Sequence, residues 1–212
     1  MSARLLGTLG VAGAVLSVLL IGAQHLADPS IDPVRSTISA YGLGGFTPLF
    51  DAGVLALAIG SACVLAGGVR TGLVPVRSAA AAGFATWVAA LLLVVAFEKV
   101  DWSVGATPSG LVHLYAGLVA FVALPVAVGA LARLRWGPGW PVLAAAAAVA
   151  ALLWLSPFVI GVVSAPWTGV PWWRFVPIGL VQRGLALTEV VAVVIVALWV
   201  RTRETAELEG AR

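Results

Sequence analysis

The sequence predicts an all-α fold, a polytopic transmembrane bundle of six spans with the N- and C-termini both cytoplasmic. Three observations predict it. Of 212 residues, 61% are hydrophobic and 10% charged, where a soluble domain averages about half apolar and about a quarter charged. Six apolar stretches reach the ~20 residues that a helix needs to cross the hydrocarbon core. The connections between them alternate in charge. Arg4, Arg70, Arg77, Arg133, Arg135, Arg201 and Arg203 fall at one set of ends, and Asp28, Asp32, Asp51, Glu98 and Asp101 at the other. Packing in water gives no reason for that sorting. A bilayer does, because basic residues resist translocation and stay on the cytoplasmic side.

Span one covers about residues 5–26. Its apolar run is longer than a signal-peptide core, and Ala23-Gln24-His25 is a poor cleavage site, so it is expected to be retained. The connection from Ala27 to Gly42 contains Asp28-Pro29 and Asp32-Pro33, which favour structured turns over helix. Span two covers about 47–66, with Gly67-Gly68 as its expected stop, and span three about 79–97. Span four covers about 110–132. Pro125 inside it removes a backbone donor and predicts a kink. Spans five and six cover about 141–163 and 178–200, and a charged, solvated tail fills 201–212. A single domain therefore takes residues 1–200, and no soluble domain fits beside it.

Other residues agree with this layout. Arg212 joins the inner set, while Arg35, Lys99, Arg174 and Arg183 are the basic residues on the outer side, a two-to-one inner bias. Trp102, Trp136, Trp140, Trp167, Trp172, Trp173 and Trp199 sit near span ends, at head-group depth, while Trp87 and Trp154 lie deeper as packing residues. Alanine and glycine crowd the spans, notably Ala144–Ala148, and permit close helix approach in lipid. The pI of 9.8 does not imply nucleic acid, because the arginines occur in ones and twos beside apolar spans and form no basic stripe. Membrane lipids are the expected partners. Cys63 is the only cysteine, so no intrachain disulfide exists.

The unusual polar groups gather in the outer half. His25 ends span one, and Ser39 and Tyr41 lie in the first connection. Asp51 sits about one turn into span two. Glu98 and Asp101 mark the exit of span three, and His113 opens span four. Gln182 and Arg183 open span six, with Glu189 about two turns deeper. Burying one charge in a membrane costs several kcal/mol or so. A shared, partly hydrated pocket in which Arg183 meets carboxylates is therefore the expected arrangement. Each piece also has a plain structural reading. Asp51 suits the helix dipole. Glu98, Lys99 and Asp101 suit a solvated rim. His113 suits a backbone hydrogen bond, and Arg183 suits snorkelling to lipid phosphate. Glu189 resists such a reading, since Val190 to Val194 surround it with apolar chain. No His-x-x-x-His or Glu-x-x-His spacing supports a metal, no cofactor motif occurs, and no Gly-x-Ser-x-Gly elbow would activate Ser36 or Ser39.

Three stretches share a pattern. They are Asp32-Pro33-Val34-Arg35-Ser36-Thr37-Ile38-Ser39-Ala40-Tyr41-Gly42 with Phe50-Asp51-Ala52-Gly53, then Gly110-Leu111-Val112-His113-Leu114-Tyr115-Ala116-Gly117, and Gly179-Leu180-Val181-Gln182-Arg183-Gly184. In this order they resemble the bacterial and archaeal membrane family called domain of unknown function 998. That family often has Asn where Asp51 stands, and Phe-Pro-x-Asp where this chain has Phe97 to Asp101. The resemblance implies a six-helix membrane protein and supplies no activity, substrate or cofactor; the plasma membrane is the expected location. Three function classes follow from the residues. The first is binding of a lipid or partner through the outer pocket, favoured because no constellation meets a catalytic signature. The second is a small proton-coupled transporter with Glu189 and Arg183 as its switching pair. The third is an intramembrane lipid-head-group enzyme using His113, Asp51 and Glu98.

Overall fold

The computed structural model describes residues 1–210 except Trp102, Val104, Trp172, Trp173 and Phe175, with side chains described through Glu204. The expected placements of Trp102, Trp172, Trp173 and Arg212 lie outside the described residues. Six long helices carry the fold: α1 (Ala3–Ala27), α2 (Thr47–Arg70), α3 (Ala79–Ala96), α4 (Pro108–Leu134), α5 (Trp140–Thr168) and α6 (Ile178–Gly210). A short 3-10 helix, Ile38–Leu43, interrupts the first connection. No strand occurs among the described residues.

Local chemistry starts these helices. The hydroxyls of Ser2, Ser78 and Thr107 accept from the amides of Leu5, Ala81 and Gly110, satisfying donors that have no partner within the helix. Proline occupies the first turn of α2, α4 and α5, where its missing N–H is no loss. Each helix packs on the next in sequence, and α6 packs on α1, so the bundle closes as a ring. All six helices are long and apolar enough to cross a membrane. Large side chains such as Leu19, Ile59, Leu118 and Leu153 stand exposed around the flank. A contiguous apolar exterior of that kind fits a lipid surround and not water.

The half nearer the arginines is packed solid. Val64, Leu124, Val128, Leu131, Val193 and Val196 have no solvent contact. Small residues make this closeness: a Cβ on Gly13 would lie 2.4 Å from the Ala56 carbonyl oxygen, so α1 and α2 cross at backbone contact.

Several boundaries differ from expectation for tertiary reasons. The helix α2 runs through Gly67-Gly68 to Arg70. A Cβ on Gly67 would meet Val200 at 2.8 Å and one on Gly68 would meet Val74 at 2.7 Å, so the pair makes room for neighbours and does not stop the helix. Pro125 lies inside an unbroken α4. Trp199 belongs to the core, not to the head-group layer, whereas Trp136 and Trp167 are exposed. The helix α6 continues beyond Val200, and the Glu204 carboxylate accepts from the amides of Ala3 and Arg4. Residues at the start of the expected solvated tail thus satisfy the first turn of α1.

The α1–α2 crossing gives a direct test. Gly13→Val should lower the melting temperature in detergent, with a loss of about 1–3 kcal/mol or more from overpacking. Gly22→Ala, where a Cβ meets nothing within 4 Å, should leave it unchanged. Equal melting temperatures for both variants would contradict the crossing.

Candidate functional site

At the end remote from the arginine cluster the packing opens. A cavity of about 200 Å3 lies at the centre of the ring, far above the ~10–15 Å3 that one water needs. Helical stripes form its walls: Phe50, Val54 and Leu57 from α2; Trp87, Leu91 and Val94 from α3; Gly110, His113, Gly117 and Phe121 from α4; Gln182, Ala186 and Glu189 from α6. The spacings of three and four residues put each set on one helix face. Thr37, Ile38 and Ser39 of the first connection, with Lys99 and Val100 of the connection after α3, complete the lining. Leu57 and Trp87 lie about half-way along their helices and Glu189 about a third of the way along α6, so the cavity reaches roughly the middle of α2 and α3. The Trp87 indole donates to the Ser61 hydroxyl at 3.0 Å.

No residue of α5 lines this cavity. The buried residues of α5 are concentrated between Pro141 and Ala151, so this helix closes the ring mainly near the arginines. On α4, Leu114 and Leu118 belong both to the cavity lining and to the exposed flank, at 40% and 52% exposure. Leu111, Tyr115, Val119 and Val122 continue the same exposed face. The cavity wall at α4 is therefore also the lateral surface of the bundle.

The first connection folds back over the cavity because α6 holds it. Leu180 N–H donates to the Val34 carbonyl at 3.1 Å. Ile38 N–H donates to Gln182 Oε1 at 3.2 Å. Gly179 permits the approach, since a Cβ there would lie 2.5 Å from the carbonyl oxygens of Pro33 and Ser36. Arg183 completes the clamp. Its Nη1 donates to the carbonyls of Ser36 at 2.7 Å and Gly179 at 3.1 Å, and its Nε donates to His25 Nε2 at 2.6 Å. His25 Nδ1 lies 2.8 Å from the Ile21 carbonyl. That carbonyl can only accept, so Nδ1 carries the proton and Nε2 is the acceptor for Arg183. The guanidinium also lies over the Tyr41 ring, 5.9 Å from its centroid. The expected carboxylate partner of Arg183 is thus replaced by an imidazole and two carbonyls, because the folded-back connection brings those acceptors first.

The other predicted residues separate into groups. Ser39, His113, Gln182 and Glu189 line the cavity. Asp51 and Glu98 line a small recess beside it, shared with His113 and Lys99. Tyr41 and Arg183 stand next to the cavity in the clamp. Asp101 is solvent-facing, and the amide of Ser103 at 2.9 Å holds its carboxyl below the usual carboxylate range. It does not join the others. His113 Nδ1 donates to the carbonyls of Val94 and Phe97 at 3.0 and 2.9 Å, which leaves Nε2 as the unprotonated ring nitrogen.

Two features gain weight in three dimensions. Lys99, read above as solvated rim, turns inward under the first connection, and its ammonium donates to the hydroxyls of Thr37 and Ser39. Burial pulls its pKa down from the ordinary lysine value to about 8, with the Asp101 carboxylate opposing that fall. A lysine on the acidic side, against the basic sorting of the chain, was the available signal. Glu189 is 1% exposed, and neither carboxyl oxygen has a hydrogen-bond partner. Among the described residues, no group of three His, Cys, Asp or Glu side chains is placed to hold a metal ion.

The clamp has a measurable consequence. Arg183→Ala removes charged hydrogen bonds of about 1.5–3 kcal/mol each. Backbone amides from Val34 to Ser39 should then exchange hydrogen at least tenfold faster, while those of α2 hold their rate. Unchanged protection of this segment would remove Arg183 from its anchoring role.

Comparison with known proteins places the chain. The family described as "Protein of unknown function (DUF998)" matches residues 11–199. No curated protein and no solved structure matches it significantly.

Proposed function

Because the chain belongs to the DUF998 family, whose description carries no activity, we propose a function from its own residues: it binds an anionic amphiphile in the central cavity. The carrying observation is the combination of apolar walls reaching the lateral flank at Leu114 and Leu118 with a half-buried ammonium at the rim. Apolar walls with a few placed polar groups are the usual make-up of a small-molecule site. A lipid-like molecule enters sideways between α4 and α6 without leaving the bilayer. Its chain replaces cavity surface at about 25 cal/mol per Å2 of apolar area. Its carboxylate or phosphate meets Lys99 Nζ, whose present partners are hydroxyls, and takes further hydrogen bonds from Thr37 and Ser39.

The sorted arginines support the accompanying topology. Residues 1–200 form one membrane domain, both termini are cytoplasmic, and the cavity lies in the outer leaflet of the plasma membrane. In a Cys63→Ala background, Asp101→Cys should react with a membrane-impermeant maleimide on intact cells, and Arg133→Cys should react only after lysis. The reverse pattern would invert the orientation.

Decanoate serves as the simplest probe of the site, titrated by calorimetry into protein in detergent micelles. The expected result is saturable binding, weakened about tenfold or more by Lys99→Met, which deletes a charged hydrogen bond. The sign with pH follows from the lowered pKa of Lys99. Affinity should be flat while Lys99 is charged and fall as pH rises through about 8, by up to about tenfold per unit. Binding that is equal in Lys99→Met, or that strengthens above pH 8, would rule the head-group role out.

A further inference from the structure

Glu189 is the one polar group that the cavity floor leaves entirely unserved. Both oxygens are buried and unpartnered, and the residue shares a face of α6 with Ala186 and Gln182. An unpaired polar group in apolar surroundings costs a few kcal/mol or more, and Leu57, Trp87 and Phe121 line the same cavity. The Trp87 indole, a donor in the wall of the same cavity, is already spent on Ser61. The described residues supply no partner, so the molecule that fills the cavity must.

Position limits what that partner is. Gln182 is level with Lys99, because Ile38 binds Gln182 while its neighbours Thr37 and Ser39 bind Lys99. Glu189 lies seven residues further along α6, about 10 Å deeper at 1.5 Å per residue. The space between is walled by Val54, Leu91, Ala120 and Ala186. The cavity is therefore polar at its rim, apolar along its length and polar again at its floor.

We infer that the ligand carries a second polar group, a hydroxyl, at the far end of an apolar stretch, and that Glu189 binds it. A hydroxyl both donates and accepts, so it satisfies this carboxyl whether ionised or protonated. An ammonium would serve the ionised form alone. This inference rests on the binding mode proposed above and specifies its ligand as a hydroxylated anionic amphiphile.

The test compares decanoate with ω-hydroxydecanoate in the same calorimetric titration. The terminal hydroxyl should tighten decanoate binding about tenfold in the native protein. In Glu189→Leu the effect should change sign, because the hydroxyl is then buried without a partner. Glu189→Gln keeps a donor and an acceptor and should retain the gain. Glu189→Leu also removes an unsatisfied group, so its melting temperature without ligand should not fall. If decanoate fails to bind the native protein, the amphiphile site itself is wrong. If decanoate binds but the hydroxyl gives no gain, or the gain survives in Glu189→Leu, the role of Glu189 is wrong and the site stands.

Discussion

The arrangement at the acidic end depends on where the guanidinium of Arg183 donates. Inside lipid, a polar group must find its partners within the chain. Nε and Nη1 of Arg183 find them in three places at once: the imidazole at the end of α1, a carbonyl of the first connection and a carbonyl of its own helix, while Nη2 is buried without a partner among the described residues. One side chain thereby ties two distant helices to an irregular segment. The segment becomes a roof, and the roof brings Thr37 and Ser39 to Lys99. Without the clamp, Lys99 has no reason to turn inward and the cavity has no polar rim.

The two halves of the bundle answer the same constraint in opposite ways. Near the arginines, glycine and alanine bring backbones together, and the interior fills with Leu and Val that have no solvent contact. Dispersion between closely packed helices holds that half. Toward the acidic end, α5 contributes few buried residues, Gly161 among them, and α4 turns Leu114 and Leu118 to the flank. The result is a rigid base carrying a receptive upper half. Such a division suits a site, since fixed walls hold polar groups in place while an open side admits a ligand.

Much of this was legible in the sequence because it is local. Apolar run length and the sorting of charges set six helices, and Pro29, Pro33 and the glycines set the irregular connection. Glu189, His113 and Gln182 stood out as polar groups within apolar chain, and the structure lines one cavity with them. What was not legible depends on tertiary contact. Gly67-Gly68 reads as a stop until Val200 and Val74 are seen against it. Arg183 reads as a partner for acid until the first connection presents carbonyls. Lys99 and Asp101 read alike, two residues apart, and only the folded roof separates them, one turned inward and one left to solvent. Trp199 reads as interfacial because its depth is visible and its facing is not.

The central claim is that an elongated amphiphile fills the space between Lys99 and Glu189. A high-resolution cryo-electron microscopy map of the protein in nanodiscs of its native lipids tests that most directly. The account expects continuous density entering beside Leu114 and Leu118, with a head group at Lys99 and a polar contact at Glu189. Isolated water peaks in that space, or walls collapsed to close it, would contradict it.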